Sequence, residues 1–287
     1  MEKQIKTLAV HLHLFYIEQL PEILNHLKCL DGLDLDLFVT MVQKNENAER
    51  QIRNFNPNAQ IYIIQNKGYD VGPFIDFLHK IDLDSYKYIL KIHTKSEISP
   101  NQTCLNGYYF NNKLWKNILF DSLLGTRKNV IKKINLLEQN KKIGMLSSKF
   151  CITSEKRCYD TLLPQINDVM QRCGFNKVET FHFVAGTMFY VRANLLKPLL
   201  RYTIDDFAQT NGSVKDGTFA HVIERIFGAL IEAQSYSLYE DKYISIKYYA
   251  KLISFSIRRF IFQYKETKHR KLIKIFKIPV YSKKEVK

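Results

Sequence analysis

With 287 residues, 46% of them hydrophobic and 13% aromatic, the chain can bury a substantial core, and one large domain with an appendage suits that length better than two equal domains. It shows no secretory leader pattern and no apolar run of the roughly 18–20 residues that span a bilayer, so a soluble or peripheral protein on the cytoplasmic side is expected. Five cysteines without a CxxC pair argue against a disulfide framework or a zinc site, and the net charge of +15 gathers in a tail with 14 Lys and Arg against 2 Asp and Glu from Lys242 onward.

In chain order, Thr7–Phe15, Leu35–Thr40 and Gln60–Gln65 read as short strands bounded by Asp, Gly, Asn and Pro. Between the first two, Leu20, Ile23, Leu24, Leu27 and Leu30 have helical spacing, and Asn45–Asn54 reads as an exposed helix. Val71–Leu78 opens a helix after a glycine-containing turn, and Tyr86–His93 is a fourth strand. Such βαβ alternation predicts an α/β fold, a mostly parallel Rossmann-type sheet with helices on both faces, whose ligands bind beyond the carboxyl ends of the strands. Ser96–Tyr109 reads as a polar loop, 111–124 and 130–140 as helices, and 143–146 and 183–191 as further strands. Asp216–Ala233 carries a helical apolar stripe through Phe219, Val222, Ile223, Ile226, Phe227 and Leu230. The division expected is a domain over 1–240 and a basic amphipathic helical tail over 241–287. That tail is read either as a contact with an anionic membrane surface or as a solvated helical cap; no nucleic-acid-binding signature accompanies its charge.

Four stretches carry candidate chemistry. Asn66-Lys-Gly68-Tyr-Asp70-Val-Gly72-Pro-Phe74 joins a strand to a helix, where glycines permit close backbone approach and a helix start offers N–H groups to an anion. Its GxxxG spacing is neither the dinucleotide nor the P-loop pattern, which removes the main support for a dehydrogenase or an ATPase. Asp70 is placed to bond a ribose or base, although a plain turn explains both glycines. Lys91-Ile-His93-Thr94-Lys95 ends the fourth strand with two cations, an imidazole and a hydroxyl, a set suited to a diphosphate, and alternation puts Lys91, His93 and Lys95 on one side. Gly186 and Thr187 lie in an apolar run where glycine admits a ligand to the backbone. Finally Asp216, His221, Glu224 and Arg225 fall at or near a helix start, the last three at i, i+3 and i+4. A carboxylate there suits a general base for an acceptor hydroxyl, and a structural ion pair is the plainer alternative. His11 and His13 read as buried, bonded histidines rather than a metal pair.

Six blocks in order, HLHLFY (11–16), DLFVT (36–40), NKGYDVGPF (66–74), YILKIHTK (88–95), FVAGTMFYVR (183–192) and DGTFAHVIERIFG (216–228), resemble the rhamnan synthesis protein F family of bacterial cell-surface polysaccharide proteins. The resemblance implies a glycosyltransferase that uses a nucleotide-activated deoxysugar, with dTDP-rhamnose the first choice, and more distantly a GT-A-like fold. It also implies a lipid-linked or lipopolysaccharide saccharide acceptor and work at the inner face of the bacterial cytoplasmic membrane. Donor contacts then fall to Asn66, Gly68, Asp70, Gly72, Lys91, His93, Thr94 and Lys95. Catalysis falls to Asp216, Glu224 or His221, and the acceptor or sugar pocket to Gly186, Thr187 and Arg225. Where GT-A enzymes carry a metal-binding DxD, this chain has HTK, so no metal cofactor is expected and the cations of that strand end stand in for one. Asp70→Ala and His93→Ala are expected to lose activity while staying folded. A non-catalytic carbohydrate-binding or scaffold component of a polysaccharide assembly complex is the competing expectation.

Overall fold

A computed structural model describes residues 5–97, 102–154, 162–210, 217–267, 270–276 and 278–284. The strands are β1 (Lys6–His13), β2 (Leu35–Met41), β3 (Gln60–Ile63), β4 (Tyr86–His93), β5 (Gln102–Leu105), β6 (Tyr108–Asn111), β7 (Ile143–Ser148), β8 (Ile152–Ser154), β9 (His182–Val184), β10 (Phe189–Arg192), β11 (Ser237–Asp241), β12 (Phe262–Thr267), β13 (Arg270–Ile275) and β14 (Ile278–Lys284). The helices are α1 (Leu20–Leu27), α2 (Glu46–Phe55), α3 (Val71–Leu78), α4 (Asn112–Leu124), α5 (Arg127–Gln139), α6 (Leu163–Arg172), α7 (Phe219–Ala233) and α8 (Ile246–Ile261). Local chemistry sets several starts: Asn45, Asn111 and Thr126 each accept a backbone N–H of the first turn, capping α2, α4 and α5.

The main sheet runs β11-β7-β10-β4-β1-β2-β3, with every strand parallel except β10. β1 lies in the middle of the sheet between two parallel partners, and its run from Leu8 to His13 is buried, as in a parallel sheet covered on both faces. The α/β architecture with a mostly parallel sheet is therefore as expected. Register then does something the pattern alone does not state. Residue His13 sits level with Thr40 of β2 and His93 of β4, and His11 with Lys91, so the polar residues that interrupt three apolar strands form one row at their carboxyl ends.

Several expectations need correcting. The single strand expected over 183–191 is two: β9 pairs with β8, β10 pairs with β4 and β7, and a turn with positive φ at Gly186 and Thr187 separates them. Because β10 runs backwards, that turn lies at the carboxyl end of β4. The polar loop expected over 96–109 contains the β5–β6 hairpin. Helix α7 begins at Phe219, after a Thr218 cap, and Asp216 lies outside the described residues, as does Cys158. Among the described residues the tail is helical only over α8, after which they form the antiparallel β12–β13–β14 sheet.

The join between body and tail is built from specific contacts. Leu252 of α8 is buried, the backbone N–H of Ser245 donates to Asp121 at 2.6 Å, the Tyr109 N–H donates to the Ser256 hydroxyl at 3.0 Å, and Lys133 pairs with Asp241 at 2.8 Å.

Candidate active site at the carboxyl edge of the sheet

The row of polar strand ends is closed from two sides. Asp70, preceding α3, enters from one, and the Gly186–Thr187 turn before β10 enters from the other. Lys91 Nζ meets Asp70 Oδ2 at 2.5 Å and also donates to the carbonyl and hydroxyl oxygens of Thr187 at 2.9 and 3.0 Å. The Thr187 hydroxyl donates to the same Asp70 oxygen. Lys91 is fully buried while the Asp70 side chain keeps 19% exposure, so the carboxylate is the group this pair shows to solvent. Burial alone would raise the Asp70 pKa; His93, Lys91 and the hydrogen bonds from Lys91 and Thr187 overcome it and hold the carboxyl well below the usual range.

This geometry revises the diphosphate set. Lys91 is consumed by Asp70 and Thr187. His93 faces two carbonyl oxygens, Gly186 O at 2.9 Å from Nε2 and Thr94 O at 2.8 Å from Nδ1, which only an imidazolium would satisfy fully. Burial outweighs Asp70, and with Lys91 and Lys95 adding repulsion it pulls the pKa to about 4, so the ring is neutral at pH 7 and donates to one carbonyl. Thr94 is buried, its hydroxyl accepting the N–H groups of Phe15 and Tyr16 at 2.9 and 3.0 Å. Lys95 stands apart, because β4 has already ended at His93 and alternation no longer holds. Its ammonium lies over the face of Trp115, 3.9 Å from the ring centre. Burial lowers its pKa, with Asp70 and Glu224 pulling the other way.

The 66–74 turn is corrected as well. Val71 and Gly72 donate their N–H groups to Gly68 O, both at 3.0 Å, and the Tyr69 N–H goes to the Thr210 hydroxyl at 3.1 Å, so these amides are not open to an anion. Asn66 exchanges bonds with Thr210, its side chain donating to Thr210 O at 3.3 Å and its carbonyl accepting the Thr210 N–H at 2.9 Å. A Cβ on Gly72 would lie 2.2 Å from Lys67 O, and one on Gly68 would strike the Phe207 ring. Both glycines make the turn, as the plainer reading held. Its product is the placement of Asp70.

On the other side, the Gly186 N–H donates to Glu224 Oε1 at 3.0 Å, which fixes one oxygen of a side chain that remains 19% exposed. Burial raises the Glu224 pKa, Asp70 adds to the rise, and Arg225 and the Gly186 amide oppose it. A carboxylate held above its ordinary range near a second, strongly ionised one is the arrangement of a proton acceptor. Gly186 itself does not admit a ligand: a Cβ there would meet Trp115 and Leu119, both at 3.1 Å. Thr187 is buried on Lys91, and Arg225 is turned inward, donating to His221 O at 2.9 Å and lying 5.1 Å from the Phe183 ring centre. His221 completes the cap of α7, its Nδ1 2.8 Å from the Thr218 hydroxyl. The acceptor contacts assigned to Gly186, Thr187 and Arg225 are thus occupied by structural roles.

Two groups escaped the sequence reading. Trp115, the single tryptophan, had no motif around it. Thr40, at the end of DLFVT, lies between His11 Nε2 at 3.0 Å and His13 Nδ1 at 3.1 Å. This settles both histidines as buried, bonded residues. Burial drives His11 well down and His13 to about 3. Folded pKa values below the unfolded value of about 6.5 mean that the unfolded chain binds more protons under acid conditions. Stability from His11, His13 and His93 is therefore complete above about pH 6.5 and falls below it by about 1.4 kcal/mol per pH unit for each ring that stays neutral. Urea unfolding at pH 7, 6 and 5 should show this decline; a flat stability across that range would refute neutral burial.

At the strand end where the resemblance places a metal-binding DxD, the chain has His93, Thr94 and Lys95, and the nearby carboxylate, Asp70, is paired with Lys91. Among the described residues no group of three His, Cys, Asp or Glu is placed to hold a metal.

Two curated relatives, uncharacterized proteins WxcX from Xanthomonas campestris pv. campestris strains B100 and ATCC 33913, are each 24% identical over 228 residues, covering 78% of this chain. The chain spans 31% of the length of those relatives. Among solved structures, S. aureus TarS 1–349 aligns at a TM-score of 0.43 and 8% identity over 89% of this chain and 65% of that one. Glucosyl-3-phosphoglycerate synthase from Mycobacterium tuberculosis, solved with Mn²⁺, UDP and glucosyl-3-phosphoglycerate, aligns at 0.36 and 10% identity over 97% and 90%. Residues 1–236 match the family profile described as Rhamnan synthesis protein F, and the chain belongs to that family.

Proposed function

We propose that this chain is a glycosyltransferase that moves a sugar from a nucleotide-sugar donor to a growing cell-surface saccharide. The observation that carries the reading is the juxtaposition, at the carboxyl edge of a mostly parallel sheet, of two partly exposed carboxylates with opposed pKa shifts, Asp70 and Glu224, and of Lys95, which has no anionic contact among the described residues. That edge is where open α/β sheets bind nucleotides. Glu224 takes the proton of the acceptor hydroxyl, Asp70 accepts hydrogen bonds from the donor, and Lys95 sits against the diphosphate. Family membership supports rhamnose or a related deoxysugar as the transferred group, dTDP-rhamnose as donor, and a lipid-linked or lipopolysaccharide saccharide as acceptor, with transfer on the cytoplasmic side.

Transfer in this reading is metal-independent, since the group facing the leaving diphosphate is an ammonium rather than a carboxylate pair. Activity should persist in excess EDTA; loss in EDTA with recovery in Mn²⁺ would contradict it. Lys95→Ala should weaken donor binding about tenfold to hundredfold, the range of a hydrogen bond to a charged group, measured by calorimetric titration with the nucleotide sugar. Unchanged affinity would remove Lys95 from the site.

One observation favours a second reading, a non-catalytic carbohydrate-binding or scaffold component: Lys91, His93 and Thr94 all face partners within the protein. Thermal unfolding across a panel of nucleotide sugars separates the two. Stabilisation by one or more of them supports the transferase, and none supports the scaffold.

A further inference from the structure

The α8 helix has three faces at successive turns of the 100° helical wheel. One packs on the body through Leu252, which is buried, and through Phe255 and Ser256, which are half-buried. A second, formed by Ile246, Ala250, Ile257 and Ile261 at intervals of four, seven and four residues, is exposed, with Ile246 at 87%. The third repeats that spacing one residue later: Lys247, Lys251 and Arg258 are all exposed and form a basic ridge beside the apolar one. A stable water-facing helix has no use for an isoleucine ridge, and a core-facing helix has no use for this one's exposure.

The sheet that follows extends the same surface. Phe276, in the turn between β13 and β14, donates its N–H to Ile261 O at 2.8 Å and lies edge-on to Phe260, ring centres 6.3 Å apart. Phe276 is 56% and Ile278 65% exposed. Bulky apolar side chains thus continue from the carboxyl end of α8 onto the β13–β14 turn, within a stretch whose net charge is +12. An apolar ridge flanked by cations fits the boundary between acyl chains and anionic headgroups. It does not suit a second copy of the chain, which would bring like charge against like.

We infer that α8 and the β13–β14 turn form a docking surface for an anionic lipid bilayer, entered by Ile257, Ile261 and Phe276 and held electrostatically by Lys247, Lys251 and Arg258. The surface is attached firmly to the body: α8 packs against α4, which carries the Trp115 that Lys95 covers, so docking sets the catalytic edge at a fixed attitude to the membrane. This inference stands apart from the transferase reading, because it is tested without sugar.

The full chain should co-sediment with vesicles of phosphatidylglycerol and phosphatidylethanolamine and not with phosphatidylcholine vesicles. Replacing Lys247, Lys251 and Arg258 together by Gln should weaken that binding on the order of a hundredfold. Ile257→Ser with Phe276→Ser should lose binding at physiological salt while circular dichroism and the unfolding temperature stay unchanged, both side chains being exposed. Equal binding to both vesicle types, or no effect of either variant, overturns the inference. So does retention of single-stranded DNA without vesicle binding, which would make this a nucleic-acid surface, or self-association abolished by the apolar variant without vesicle binding, which would make it a subunit contact.

Discussion

Glu224→Gln is expected to lower sugar transfer by about 10²–10⁴-fold, the contribution of a positioned general base, while the protein unfolds at nearly the same temperature. The substitution is chosen for what it preserves. Gln keeps an oxygen for the Gly186 N–H, so the turn before β10 retains its partner. It also removes the charge that burial and Asp70 already disfavour, so the fold loses little. What disappears is the ability to take a proton. The same group sets a pH dependence: because its pKa is raised, activity should fall as the pH drops through a value above the ordinary carboxylate range of about 4.3. Full transfer by Glu224→Gln would move the base elsewhere. Asp216, outside the described residues, would be the next to replace.

The second large effect concerns stability. Asp70→Ala should destabilise the protein by about 3–5 kcal/mol, as removal of one partner of a buried pair does. Lys91 is left fully buried, with only the Thr187 oxygens around an uncompensated ammonium. The double variant Asp70→Ala with Lys91→Met should recover a large part of that loss, because no stranded charge remains. Denaturant unfolding of the two singles and the double gives the coupling directly. Additive effects would mean that the pair contributes nothing as a pair. The expectation that Asp70→Ala merely silences a folded enzyme is thereby revised. His93→Ala changes in the same way, since it empties a buried site and removes the ring that bonds there to a backbone carbonyl.

Much of the architecture was legible because it is local. Apolar runs such as Leu8–Val10 and Tyr88–Leu90 read as strands of a sheet covered on both faces, and they pair in parallel at its centre. Asp70, Lys91, His93, Thr187 and Glu224 were singled out one by one, and the fold does collect them. Their mutual bonding was not legible, because it depends on a direction. A strand pattern over 183–191 is the same whichever way it runs, and only the reversal of β10 brings Thr187 onto Lys91. The glycine turn is illegible for a related reason: the acceptors of its N–H groups are internal and leave no local pattern, Gly68 O within the turn and Thr210 far along the chain. Lys95 broke alternation because strand geometry stops at His93, and its aromatic partner, Trp115, lies on α4 with no sequence cue.

The central claim, transfer of a sugar from a nucleotide donor, is tested most directly by intact-mass analysis of a defined saccharide acceptor. The purified chain is incubated with it and with dTDP-rhamnose, GDP-fucose and UDP-sugars in turn, without added metal. A mass increase of one glycosyl residue with one of these donors, most readily dTDP-rhamnose, and its loss in Glu224→Gln, is the predicted result. No mass increase with any donor, with or without Mn²⁺, from a protein that no nucleotide sugar stabilises, would contradict it.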